Sequence, residues 1–116
     1  MLVLGLDPGL ATTGYGLIAS DGHAMSAIVY GTVRTPAKTP TPQRLCTLHA
    51  ELLQLLEEHK PDVAAVEKLY FATNARTAMS VGQARGVLLL ALAQADVDIA
   101  EYTPLQIKQA ITGYGQ

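Results

Sequence analysis

Two carboxylates about sixty residues apart, Asp7 and Glu67, have the residue type and setting to do chemistry in this chain. Asp7 ends the apolar run Leu2-Val3-Leu4-Gly5-Leu6 and is followed by a Pro8-Gly9 break; Glu67 ends Asp62-Val63-Ala64-Ala65-Val66 in the same way. Burying a lone carboxylate costs several kcal/mol or forces its pKa up, so an acid in such a strand calls for a metal, a phosphate or a cation to answer it. Two neighbouring carboxylates repel unless a cation lies between them, and Mg²⁺ or Mn²⁺ favours such oxygen ligands. Paired metals about 4 Å apart activate water and stabilise the leaving oxygen in phosphodiester hydrolysis. Two acids are few for two metals, however, and the plainer alternative makes Glu67 a solvated strand end and Asp7 a cap on the Pro8-Gly9 turn.

The elements that must bring these acids together follow from periodicity. Segments 13–20 and 24–34 alternate or run apolar around Asp21-Gly22, a two-residue turn signal, so the first three strands are expected as an antiparallel meander. From Thr41 the period changes, with Leu45, Leu48, Leu52, Leu55 and Leu56 at helical spacing, Thr41 as the expected N-cap and Pro42 at the first helical position. This helix is expected to end near His59. A strand over 62–67, a helix over about 74–95, a strand over 97–101 and a helix over about 103–112 complete the order βββαβαβα. Right-handed crossovers then place strand four beside strand one in a mixed α/β sheet, with both acids at carboxyl ends where the winding direction reverses.

At 116 residues and 49% hydrophobic content, residues 1–116 are expected to form one domain. A net charge of −2 gives no basic signature, so any nucleic-acid contact must come from a local face. The single Cys46 has no internal disulfide partner, and the apolar run 87–93 is far short of the roughly 20 residues of a membrane span. A cytoplasmic protein without membrane contact is expected. The Pro- and Thr-rich stretch 35–42 is linker-like and joins two elements within the domain.

Other residues add chemistry at the margins of the acid pair. Gly5, Gly9, Gly14 and Gly16 crowd the first hairpin and permit either close approach to a phosphate or simple tight turns. Asp7-Pro8-Gly9 with Thr12-Thr13-Gly14 resembles the first phosphate loop of actin-like kinases and ATPases, which makes nucleotide binding a competing function. Tyr70 and Phe71 are adjacent aromatics in a chain with six, suited to stacking on bases or wedging into junctions; filling the core is the alternative, favoured for Phe71. Lys68, Arg76 and Arg85 form a candidate phosphate-contacting stripe, with a solvated helix position as the other reading of Arg85. The small and apolar face Ala75, Ala78, Met79, Gly82, Gly86, Leu89, Leu90 and Ala93 fits sheet packing or a two-fold dimer contact. Lys108 is either a surface residue or a charge that steadies a phosphorane-like state or orients water. His23, His49 and His59 lack ligand spacing, and Cys46 reads as a small apolar neighbour of Leu45.

Taken in order, Gly5-Leu6-Asp7-Pro8-Gly9, Thr13-Gly14-Tyr15-Gly16, Val66-Glu67, Gly82-Gln83-Ala84-Arg85-Gly86 and Gln106-Ile107-Lys108-Gln109 resemble the RuvC-type Holliday-junction resolvases across essentially the whole chain. The resemblance implies a ribonuclease-H-like fold, a homodimer, and Mg²⁺-dependent symmetric nicking of four-way junction DNA in recombination and repair, with Mn²⁺ as a substitute. It also implies cooperation with a branch-migration motor. By motif position Asp7 and Glu67 match two metal-binding acids, Tyr70 an aromatic acting at the junction centre, and Lys108 a basic residue near the catalytic centre. The family's other two acids, and a further basic residue, fall past Gln116. The expectation is therefore a C-terminally incomplete nuclease domain lacking the family's final helix, one that binds metal weakly and cuts poorly. A junction-binding module without catalysis is the remaining alternative.

Overall fold

Leu2–Asp7 forms β1, the central strand of a five-stranded sheet in the order β3-β2-β1-β4-β5. A computed structural model describes residues 1–21, 24–67 and 75–102, without the side chains at 75, 76 and 102. The remaining elements are β2 (Thr12–Ser20), β3 (Met25–Arg34), α1 (Thr41–His59), β4 (Val63–Glu67), α2 (Ala75–Gln94) and β5 (Asp98–Tyr102). The first three strands pair antiparallel, while β4 pairs parallel to β1 and β5 parallel to β4, giving the mixed sheet that the element order predicts. The helix expected over 103–112 lies outside the described residues.

Alternation along the strands divides the sheet into two unlike faces. Leu4 and Leu6 of β1, Leu17 of β2, Val33 of β3 and Ala64 and Val66 of β4 point to one face and are buried. There they meet Leu48, Leu52 and Leu56 of α1 and Ala84, Leu88, Ala91 and Leu92 of α2, so both helices lie over the same side. Each stripe follows the helical period that a core-facing helix requires. Complete burial of a leucine contributes roughly 1.5 to 3 kcal/mol, and Leu48, Leu52, Leu88 and Leu92 are all sealed from water. On the opposite face β1, β2 and β4 present Val3, Gly5, Asp7, Gly14, Gly16, Ile18, Ala65 and Glu67, among which no large aromatic stands.

The start of α1 corrects one detail of the sequence reading. Pro40, not Thr41, is the N-cap residue, with φ −57° and ψ 147°, and no side chain bonds the free N–H groups of the first turn. Pro42 within that turn carries no N–H, so one fewer donor needs a partner. At the other end Lys60 adopts a left-handed conformation at φ 49°, and its N–H donates to the Leu56 carbonyl at 2.8 Å. The Arg44 guanidinium in the first turns donates through Nε to Thr35 Oγ1 at 2.8 Å, and the Thr35 hydroxyl donates to the Leu10 carbonyl at 2.6 Å.

That relay ties the helix to the loop that follows Asp7. A valine at position 35 keeps the shape of threonine but leaves the buried Leu10 carbonyl and Arg44 Nε without their partner. Thr35→Val is expected to lower unfolding stability by about 1 to 3 kcal/mol, read as a fall in the urea midpoint at unchanged slope.

Candidate functional site

The loop after β1 is shaped before any ligand arrives. Gly9 has no room for a side chain, since a Cβ there would lie 2.3 Å from the Thr12 carbonyl oxygen. The buried Thr13 hydroxyl donates to the Gly9 carbonyl at 2.6 Å and accepts from the Gly9 N–H at 3.3 Å. Thr35, just past the end of β3, holds the same loop through its hydroxyl to Leu10 and its N–H to the Ala11 carbonyl at 3.0 Å. Thr13, Thr35 and Arg44 therefore position the turn. Sequence reading missed these positioning roles, because an isolated threonine or arginine has no periodicity; only the Thr13-Gly14 motif marked the place.

Asp7 and Glu67 stand side by side. The parallel register pairs Leu6 with Val66, so the next residue of each strand projects from the open face at the carboxyl edge. The start of the same strand pair is clamped by Asp62, which accepts the Leu2 N–H through Oδ2 at 2.7 Å and donates its own N–H to the Leu2 carbonyl at 2.8 Å. This fixes β4 against β1 and with it the approach of the acids. Asp7 is exposed and Glu67 half-buried. The Glu67 carboxyl is raised above its usual pKa, first by burial, then by a hydrogen bond with Asp7, then by repulsion from the Asp7 charge. All three causes act in one direction, against a second negative charge beside Asp7.

A proton and a divalent cation relieve the same repulsion, so the pair fits a hard cation by the chemistry of its donors. Gly14 lies opposite Asp7 on β2, and a Cβ there would meet Asp7 Cβ at 3.7 Å. The side of the acid pair is thus open backbone and not packed side chain. No cluster of three or more metal-ligating side chains occurs among the described residues.

The other sequence-predicted residues are placed differently. Arg85 does not join the acids: its guanidinium is ion-paired with Glu101 on β5, on the helix-covered face, and its side chain is largely buried there. The phosphate-contact expectation for Arg85 thus meets a structural partner on the wrong side of the sheet. Glu101, paired in register with Val66, likewise faces away from Asp7. Arg76 lies in the first turn of α2, with its side chain outside the described residues. Lys68, Tyr70, Phe71 and Lys108 lie outside them as well, the first three directly after Glu67. His49 is a bonded surface residue, its Nε2 2.7 Å from Gln94 Oε1, as the sequence reading expected of a histidine without ligand spacing.

Comparison with known proteins places this geometry. The family model for the crossover junction endodeoxyribonuclease RuvC matches residues 3–116. The RuvC crossover junction endodeoxyribonuclease of Syntrophomonas wolfei is 53% identical over 115 residues, covering 99% of this chain and 67% of that protein. That of Thermomicrobium roseum is 52% identical over 116 residues, covering all of this chain and 71% of the relative. Among solved structures, Thermus thermophilus RuvC in complex with a Holliday junction substrate superposes with a TM-score of 0.86 at 34% identity, over 95% of this chain and 69% of that one. A yeast mitochondrial Holliday junction resolvase at 14% identity and a TM-score of 0.64 shares the fold. So does an exopolyphosphatase from Cytophaga hutchinsonii at 10% and 0.53. The five-stranded mixed sheet is the ribonuclease-H-like architecture that the sequence motifs implied. With the family model and half-identical relatives both spanning its length, this chain belongs to the RuvC family of crossover junction endodeoxyribonucleases.

Proposed function

We propose that this protein is a structure-selective endonuclease that resolves four-way DNA junctions by divalent-cation-dependent hydrolysis, with Asp7 and Glu67 as two of the cation's ligands. The observation that carries the reading is the convergence of these two carboxylates at adjacent strand ends, on a face whose neighbouring residues are glycines. Mg²⁺ suits an all-oxygen donor pair and Mn²⁺ can replace it. When bound, such a cation activates water and stabilises charge on the leaving oxygen. The protein's part is to hold the two carboxylates close, so that both can answer one cation at the same place. Lys68, Tyr70 and Arg76 complete the proposal as DNA contacts and Lys108 as a catalytic cation, on the strength of their motif positions.

The family relationship supports a homodimer and cooperation with a branch-migration motor. A surface for the dimer is available on α2. Met79, Gln83, Gly86, Leu90 and Ala93 are exposed at alternating spacings of four and three, with Met79 75% and Leu90 52% accessible and open space above Gly86. This is the 3.5-residue seam along which two helices pack, with the glycine allowing close approach. No helix among the described residues is long and apolar enough to cross a membrane, and action on chromosomal DNA supports a cytoplasmic location.

Three outcomes test the proposal. Four-way junction DNA and Mg²⁺ should yield paired symmetric nicks with this chain or with the chain extended by the part of the Syntrophomonas relative that it does not cover; no nicks from either form rejects the activity. In the active form Asp7→Asn and Glu67→Gln should each lower nicking by more than about 100-fold while junction affinity in gel shift stays within about threefold, since loss of binding would mean that phosphate contact and not metal ligation was removed.

The pH dependence has a definite sign. A carboxyl whose folded pKa is raised holds its proton more tightly in the folded protein, so its stabilisation is complete at low pH and is lost as pH rises through the raised value. Cation-free wild type should therefore lose stability relative to Glu67→Gln as pH rises above the ordinary glutamate range, and saturating Mg²⁺ should remove the difference. Parallel melting curves for both proteins across that range would contradict the proton-sharing pair. For the dimer, Leu90→Glu should shift the sedimentation coefficient to the monomer value without lowering the melting temperature by more than a few degrees.

A further inference from the structure

The strand register that aligns the two acids stops just short of them. β1 and β4 pair from Val3–Val63 to Leu6–Val66, whereas β4 and β5 stay in register one residue further, through Val66–Glu101 to Glu67–Tyr102. The backbone of Glu67 is therefore held from β5 and not from the strand that carries Asp7. Where Glu67 stands relative to Asp7 depends on what secures the carboxyl end of β5.

Apolar packing does little to secure it. β5 is the last strand of the sheet, and none of its described side chains is part of the buried core. Its amino end is tethered through the turn that leaves α2, where the Val97 N–H donates to the Leu92 carbonyl at 3.0 Å and the Asp96 N–H to that of Ala93 at 3.1 Å. Near its carboxyl end, the one polar side-chain contact among the described residues is the ion pair of Glu101 with Arg85. Arg85 lies between the buried Ala84 and Leu88 of α2, its side chain is only 18% exposed, and its buried Nε has no hydrogen-bond partner among the described residues. Releasing Glu101 would leave a largely buried guanidinium unanswered, so the contact resists opening.

We propose that Arg85 is a positioning residue for the cation site: through Glu101 it fixes the end of β5, and through the Glu67–Tyr102 register it sets Glu67 beside Asp7. Asp62 performs the matching service at the amino end of β4, where it bonds Leu2 of β1. The acid-bearing strand is thus held at one end from β1 and at the other from the helical layer. Arg85 touches neither acid and lies on the opposite face of the sheet, so its influence passes through backbone geometry. A cation shared by two carboxylates needs both oxygens in place at once, and partners that orient its ligands affect affinity nearly as the ligands do. The inference rests on the reading of Asp7 and Glu67 as cation ligands.

Mn²⁺ titration followed by electron paramagnetic resonance, without DNA, tests it in this chain or in its extended form. By charge alone, removing a positive group near a cation site tightens cation binding; by position, Arg85→Met should weaken it about tenfold. Arg85→Lys keeps the ion pair and should bind Mn²⁺ within about threefold of wild type. The double variant Arg85→Met with Glu101→Leu leaves net charge unchanged and replaces the pair by apolar groups, an exchange that often preserves stability; it should still bind about tenfold more weakly. Amide exchange in Arg85→Met should rise at the carboxyl ends of β4 and β5 and stay unchanged in α1 and β2. Wild-type or tighter Mn²⁺ affinity in Arg85→Met or in the double variant overturns the positioning role, as does a uniform rise in exchange across the sheet, which marks a loss of packing alone. If wild type binds and Glu67→Gln does not, either result leaves the acid pair standing as the cation site. No difference in Mn²⁺ binding between wild type and Glu67→Gln removes both readings together.

Discussion

Mutual repulsion between two carboxylates, held close by a backbone that does not let them separate, is the constraint on which the rest of this protein depends. A pair of acids free to move would part and solvate. Here the parallel ladder from Val3–Val63 to Leu6–Val66 fixes their strands about 4.8 Å apart, and Asp62 locks the start of that ladder. Half-burial of Glu67 keeps water from screening the pair fully. The stored electrostatic cost is what gives the site its appetite for a proton or a cation, and the apolar core on the far side of the sheet supplies the stability against which that cost is set.

The two faces of the sheet divide this labour. On one face β-branched and leucine side chains meet α1 and α2, and even the charged pair Arg85–Glu101 serves helix-to-strand packing. The other face is built from small residues near the acids, with Gly5 paired to Gly16 and Gly14 paired to Asp7 across β1 and β2. Glycine within a strand weakens it by exposing backbone and adding chain entropy in the unfolded state, so three so close together are costly. Tyr30 over Gly16 recovers part of that loss by covering bare backbone with an aromatic ring, and Tyr15 does the same for Gly31 on the helical face.

Much of this was legible in the sequence, and the reasons are physical. Alternating apolar residues determine which strand face is buried, and the leucine spacing of α1 survives translation into structure because burial of Leu48, Leu52 and Leu56 is what holds that helix in place. The acid pair was legible because a carboxylate ending an apolar strand is an anomaly with few explanations. What escaped was long-range and polar. Thr35 to Leu10 spans 25 residues and Arg44 to Thr35 joins a helix to a strand end, contacts that no local pattern encodes. Arg85 looked like a phosphate ligand because its helix lacks nearby acids, but its partner, Glu101, arrives from β5 across the sheet–helix interface. The N-cap of α1 moved by one residue because a Pro-Thr-Pro start removes donors instead of capping them.

Arginine placement carries the same lesson one step further. Each described arginine side chain with a partner is held by the helical side of the fold. Arg44 is spent on Thr35 and Arg85 on Glu101, both on the helical side. Arg34 is on the other side, at the carboxyl end that gathers Asp7 and Glu67, yet two strands removed from them and unpaired among the described residues. At about 12 Å the attraction between Arg34 and Asp7 is weakened by the high dielectric of the open face and by salt, since it exceeds the Debye length of roughly 8 to 10 Å. The separation leaves the acid pair and this guanidinium as independent charges on one face. A charge that far away leaves the repulsion between Asp7 and Glu67 unrelieved, so the pair has to be answered by a proton or a cation at its own position.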